Sequence, residues 1–252
     1  MNRLIARLDV KSSSLIKGMR FEGLKKIGDP AEAAIKYYED GIDEIFVVDT
    51  VASLYGRNNL GDILEKVARN VFIPITAAGG IRTLEDAEAL FACGADKVAV
   101  NTAGFKDTEL LRKIANKFGA QAVIGSIHAK KVAADWQCLT EQGRERTGTL
   151  VLDRIGQLLE MGAGEILVTS VDHDGVQGGY DIPLTEAVER LSPVPITIGG
   201  GCGTMQHVAE VMSVGRISGI SMGSALHFGN FSIGDLKEFL QQPKSEQGTN
   251  LV

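Results

Sequence analysis

One stretch of this 252-residue chain is written twice. Gly41, Glu44 and Ile45 return as Gly162, Glu165 and Ile166 at a spacing of 121, and Pro74-Ile75-Thr76 returns as Pro195-Ile196-Thr197 at the same spacing. Gly79-Gly80 and Thr83 reappear as Gly200-Gly201 and Thr204, and Leu8-Asp9-Val10-Lys11 faces Ile127-His128-Ala129-Lys130 at a spacing of 119. Chance supplies one such match, but several in order at nearly one offset argue for two similar halves. The halves fall at about 1–120 and 121–242, leaving the polar stretch 243–252 as a flexible tail.

Each half alternates short apolar runs with amphipathic ones. Strands are expected at 4–10, 44–49, 73–78, 97–101, 121–127, 165–170, 196–199 and 219–222. Their near-continuous aliphatic character suits strands buried on both faces of a parallel sheet. Helices are expected at 30–40, 60–70, 84–93, 108–118, 150–161, 184–191, 205–214 and 233–242. Asp29-Pro30 and Thr83-x-x-Asp86 read as helix starts, and Gly41, Gly94, Gly119 and Gly162 as helix stops. Eight strand–helix units in about this length predict a single α/β domain over 1–252, a (β/α)₈ TIM barrel made of two repeated half-barrels. Two long loops, 9–28 after the first strand and 128–148 after the fifth, emerge at the catalytic end.

Charge and cysteine usage narrow the function. A net charge of −6 gives no reason to expect nucleic acid. No apolar run reaches the ~18 residues of a membrane span, and the polar N-terminus does not read as a signal peptide. Cys93, Cys138 and Cys202 are odd in number and lack metal-ligand spacing, which suits a reducing, cytoplasmic setting with neither metal nor cofactor.

Gly79-Gly80 after strand three and Gly200-Gly201 after strand seven each precede a helix, where bare backbone N–H groups can approach an anion. Asn101-Thr102 and Gly223-Ser224 complete a cradle on each side of the mouth, so the pattern suits a substrate with phosphate at both ends, or else ordinary tight turns. Asp9 ends strand one as a candidate general acid or base, or as a carboxylate paired with Lys11 or Lys17. His128 holds the matching place on strand five, where an ordinary imidazole titrates near neutral pH. Asp49 and Asp174 end strands two and six, with Asp174-Gly175 also reading as a turn, and Lys17 and Lys130 lie in the long loops. At the opposite mouth, Arg3, Glu44, Lys97 and Glu165 stand at strand starts, placed either for stabilising ion pairs or for a charged ring gating a passage.

Taken together, Ala6-Arg7-Leu8-Asp9-Val10-Lys11, Lys17-Gly18, Gly79-Gly80-Ile81, Asn101-Thr102-Ala103 and Asp172-His173-Asp174-Gly175 resemble the cyclase subunit of imidazole glycerol phosphate synthase, over about residues 3–240. The resemblance implies a repeated (β/α)₈ barrel that receives ammonia from a glutaminase docked on its N-terminal face. Ammonia then reacts with a ribulosyl intermediate carrying a phosphate at each end, giving imidazole glycerol phosphate and aminoimidazole carboxamide ribotide. It makes Arg3, Glu44, Lys97 and Glu165 the ammonia gate. It also marks departures: the family's second acid–base aspartate is His128 here, Val176 stands in place of a Thr, and Ala78 in place of a Gly. The segment Ser53-Leu54-Tyr55-Gly56-Arg57-Asn58 is similar to a paralogous group that directs ammonia to a sugar nucleotide, forming an amidine for surface polysaccharide. A third reading is a non-catalytic barrel that activates the partner glutaminase.

Overall fold

Side chains alternate between the two faces of a strand, and that alternation sets what lies inside this protein. The computed structural model describes residues 2–52 and 60–242; the segment 53–58 and the tail 243–252 named above lie outside the described residues. Eight parallel strands run round the barrel: β1 (Arg3–Lys11), β4 (Glu44–Asp49), β5 (Ile75–Ala78), β6 (Lys97–Val100), β7 (Val123–Val132), β10 (Glu165–Ser170), β11 (Ile196–Gly199) and β12 (Ile217–Met222). Pairing of β7 with β10 and of β1 with both β12 and β4 closes the sheet, so this is the (β/α)₈ barrel the alternation predicts.

The long helices are α1 (Pro30–Glu39), α2 (Gly61–Ala68), α3 (Leu84–Ala92), α5 (Leu110–Phe118), α6 (Val151–Glu160), α7 (Ile182–Leu191), α8 (Met205–Met212) and α10 (Ile233–Gln241). The sequence did not suggest two short ones, α4 (Thr102–Lys106) after β6 and α9 (Ser224–His227) after β12. Asp29 caps α1 by accepting from the Ala31 and Glu32 N–H groups, with Pro30 in the first turn. Thr83 and Asp86 form a reciprocal capping box on α3. Outward-facing Leu4, Ala6, Leu8 and Val10 of β1 join the core between sheet and helices. Inward-facing Ile5, Phe46, Val48, Ala78, Ala99, Ile124 and Leu167 form a separate apolar layer inside the barrel.

The two expected long loops are antiparallel hairpins. β1 continues past Asp9 and folds back through β2 (Ser14–Met19) and β3 (Glu22–Gly28), with Asp9 opposite Ile16. β7 likewise continues through β8 (Asp135–Thr140) and β9 (Glu145–Leu150), with His128 opposite Leu139. Three of the turns hide from sequence because non-glycine residues make them: Ser12, Arg20, Phe21 and Ala133 all have positive φ. Lys17 and Lys130 are therefore strand residues, on β2 and β7.

Candidate active site

Period two on β1 places Arg3, Ile5, Arg7 and Asp9 on the face that looks into the barrel, so one strand carries charge to both ends of the axis. At the carboxyl ends of the strands, Asp9 is buried and accepts from Arg7 Nε at 2.8 Å and from Lys17 Nζ at 2.9 Å. Lys17 Nζ also lies 3.3 Å from both carboxylate oxygens of Asp174, which the turn after β10 carries inward. Lys17, and not Lys11, is thus the ammonium partner of Asp9. Burial opposes the Asp9 charge, but the Arg7 and Lys17 cations outweigh it and hold the carboxyl well below its usual range. For Lys17 burial is likewise outweighed, here by Asp9 and Asp174, and its ammonium titrates above the ordinary value.

His128 sits at the matching point of β7, buried, with its ring 4.8 Å from that of Phe21. Its Nδ1 has no hydrogen-bond partner among the described residues. Burial pushes the imidazole down to about 3; the Arg7 charge adds to this and Asp9 opposes it. The near-neutral titration expected of an ordinary histidine gives way to a ring that is neutral at physiological pH, because its surroundings offer cation and aromatic ring in place of water.

The sign of this shift makes acid stability measurable. The folded value lies below the ordinary 6.5, so the unfolded chain takes up the proton first. Stability is untouched above that ordinary value and falls as pH drops through the window beneath it, by at most about 1.4 kcal/mol per pH unit for one such group. His227 behaves alike: burial drives it down to about 4, and it bridges the Tyr37 hydroxyl and the Arg7 carbonyl. Urea titrations of His128→Gln between pH 6 and 4 are expected to show roughly half of the histidine-linked slope. An unchanged slope would mean that His128 titrates as it does in water.

The remaining candidates fall into two groups. Asp49, Gly80, Asn101 and Thr102 line one mouth cavity of about 190 Å³, together with Arg7 and His128. Asp49 accepts from the Val51 N–H at 3.0 Å, and Thr102 Oγ1 accepts from the Glu141 N–H at 3.0 Å. Lys17, Asp174, Gly175, Gly200, Gly201, Gly223 and Ser224 line a second space of only about 10 Å³, again with Arg7. The Lys17–Asp174 pair forms one wall of it. Gly201 has φ +117, and a Cβ there would run into the Gly179 carbonyl, so this close approach requires glycine. The Oγ of Ser224 and Asn101 Oδ1 are buried with no partner among the described residues. Such groups cost free energy unless something else satisfies them.

At the amino ends of the strands the four charged residues form a closed ring. Arg3 reaches Glu44 and Glu165, each at 2.6 Å. Lys97 reaches the same two carboxylates at 3.2 and 3.1 Å. Thr76 and Thr197 donate to Glu44 and Glu165 at 2.6 and 2.7 Å. Burial raises the Glu165 carboxyl, but the Arg3 hydrogen bond and the Lys97 charge more than reverse it, so it titrates below its usual range.

Sequence reasoning missed Arg7, Phe21 and Glu141. Arg7 left a readable signal, a charge inside an apolar run two residues before Asp9 and hence on the same face. Phe21 left none, since only the hairpin brings it over His128.

A closed parallel barrel with a buried charge network at the carboxyl ends of its strands defines a (β/α)₈-barrel enzyme scaffold with its site where this fold builds active sites. The chain belongs to the histidine biosynthesis protein family, whose family model matches residues 3–232. It is 50% identical over 205 residues to the imidazole glycerol phosphate synthase subunit HisF of Legionella pneumophila, spanning 81% of this chain and 97% of that protein. The HisF subunits of Natranaerobius thermophilus and Streptococcus sanguinis are 40% and 41% identical over 240 residues, covering 95% of this chain and 96% and 95% of theirs. Among the described residues no helix is long and apolar enough to cross a membrane.

Proposed function

We propose that this chain is the ammonia-accepting cyclase subunit of an imidazole glycerol phosphate synthase, acting in the cytoplasm with a glutaminase seated on the amino-terminal face of the barrel. One observation carries the reading: the charged ring of Arg3, Glu44, Lys97 and Glu165 and the Asp9–Lys17–Asp174 network lie at opposite ends of a single barrel axis. Ammonia enters through the ring and meets a ribulosyl intermediate whose two phosphates rest in the two glycine cradles. Asp9, a carboxylate at neutral pH, takes up a proton as the imidazole ring closes. Neutral His128 holds the acceptor by hydrogen bonding. A phosphate entering the second cradle must displace the Lys17 ammonium from Asp174, since the space there is otherwise about 10 Å³. Phe72, 77% exposed just ahead of β5, gives the amino-terminal face an apolar contact for the partner. The same proposal takes the barrel as two halves, 1–120 and 121–242, each opening on a strand that runs into a hairpin.

The test is ammonia-dependent turnover of the ribulosyl intermediate by the purified chain, with rescue of a histidine auxotroph as its cellular form. Lack of both would overturn the reading. One observation favours a second reading, amidation of a sugar nucleotide: the residue opposite Asp9 is neutral and not a carboxylate. His128→Asp is then informative. A restored second carboxylate is expected to raise cyclase turnover by about 10²-fold, the lower end of what one positioned acid–base group contributes. No gain would favour the sugar acceptor.

A further inference from the structure

Arg7 is the inward-facing residue of β1 between Ile5, which lines an inner cavity, and Asp9 at the mouth. Beneath Arg7, above the charged ring, lies this cavity of about 10 Å³, bounded by Phe46, Thr197 and Ser221 among others. That is room for one water-sized molecule. Above it are the two mouth spaces, and Arg7 lines both. The guanidinium leaves β1, donates to Asp9, and reaches Thr169 Oγ1 on β10 at 3.3 Å. β10 is separated from β1 by β11 and β12 on one side and by four strands on the other, so this reach crosses the axis. On the way Cζ passes 5.8 Å from the Phe46 ring and 5.6 Å from that of Phe21. Burial opposes the charge, but Asp9 and Asp174 outweigh it and the group stays protonated.

The inner cavity beneath is equipped for a neutral guest. All four oxygens of Glu44 and Glu165 are engaged by Arg3, Lys97, Thr76 and Thr197, leaving no carboxylate oxygen idle to hold a cation. Ser221 Oγ is buried without a partner among the described residues and borders both this cavity and the second mouth space. Its hydroxyl can donate to a nitrogen lone pair, which ammonia has and ammonium lacks.

We propose that Arg7 is the upper stop of the axial passage: its guanidinium closes the barrel above the inner cavity, repels ammonium, and retains one neutral ammonia on Ser221 until an acceptor fills the mouth. The inference rests on the ammonia-accepting reading above and adds a positioning residue to it. Occupation of the mouth draws Asp9 and Lys17 toward the acceptor, which loosens the Asp9 hydrogen bond that steadies the Arg7 guanidinium and leaves it held by Thr169 alone.

The test uses the complete chain with its glutaminase and counts glutamate released per acceptor consumed. The wild-type ratio is expected near one. Arg7→Ala and Arg7→Gln, which shorten the side chain and remove its charge, are expected to raise it several-fold, as ammonia escapes through the open mouth. Arg7→Lys, which keeps the cation, is expected to stay nearer to wild type. Absolute rates fall in these variants with either nitrogen source because Asp9 loses a partner, so Asp9→Asn, which slows the acceptor step but keeps Arg7, sets the ratio that this loss alone gives, and the neutral Arg7 variants are expected to exceed it at equal acceptor turnover. If Arg7→Ala does not fold, Arg7→Gln carries the test. A ratio near one in the folded neutral variants would overturn the inference while leaving the ammonia-accepting reading intact. A wild-type complex that consumes acceptor with neither glutamine nor free ammonium would remove both.

Discussion

Asp9→Asn is expected to abolish synthase turnover with glutamine and with free ammonium alike, by about 10²–10⁴-fold, the usual scale for loss of a positioned acid–base group. The amide keeps the size of the carboxylate but cannot take up a proton. It also leaves Arg7 and Lys17, both buried, with one counter-charge fewer, Lys17 retaining only Asp174. Removing one member of a buried ion pair destabilises strongly, and about 3 kcal/mol is expected in urea unfolding. The two effects separate by assaying at a temperature where circular dichroism shows the variant folded. Unchanged turnover there would remove Asp9 from the chemistry and leave it as an organiser of Lys17 and Arg7.

Lys97→Ala is expected to act at the other end. Glu44 and Glu165 each lose a bond to the ammonium and keep Arg3 and one threonine hydroxyl apiece. The ring opens on the side of β6, and ammonia delivered by the partner is no longer led into the barrel. Glutamine-driven turnover is expected to fall about 10-fold or more, because one reactant is no longer delivered in place, whereas turnover with added ammonium, which enters from the carboxyl-end mouth, stays near wild type. Equal loss with both nitrogen sources would reduce Lys97 to a stabilising ion pair. Lys97 is 17% exposed at its side chain, so water compensates part of the change, and the stability cost is expected to be smaller than for Asp9→Asn.

Much of this architecture can be read without a structure. Barrel strands are aliphatic on both faces, and helices begin at Asp29 and Thr83 and stop near glycines, because these signals arise from interactions a few residues apart. The charged ring is legible for a related reason: a charge at the start of an apolar run marks a strand end, and four such ends in one barrel must meet. The hairpins were not legible. Their turns use Arg20, Phe21 and Ala133 in left-handed conformations, without the Asn-Gly or Asp-Gly that announces such a turn. What makes them form is burial of Leu15, Ile16, Cys138 and Leu139 against the barrel. The state of His128 was equally hidden, since its proton affinity depends on Arg7 from another strand and on Phe21 from the hairpin tip.

By itself the sequence determined the eight-stranded barrel and the ends of its axis at which charge collects. Both follow from period, position and residue type along the chain. Only the tertiary structure decided which charges pair. It committed Lys17 to Asp9 and Asp174, kept His128 neutral and stretched Arg7 across the interior. The physical reason is that burial multiplies the energy of every charge–charge contact, and burial is a property of residues far apart in sequence that closing the barrel brings together, as Arg3 and Glu165 meet at 2.6 Å.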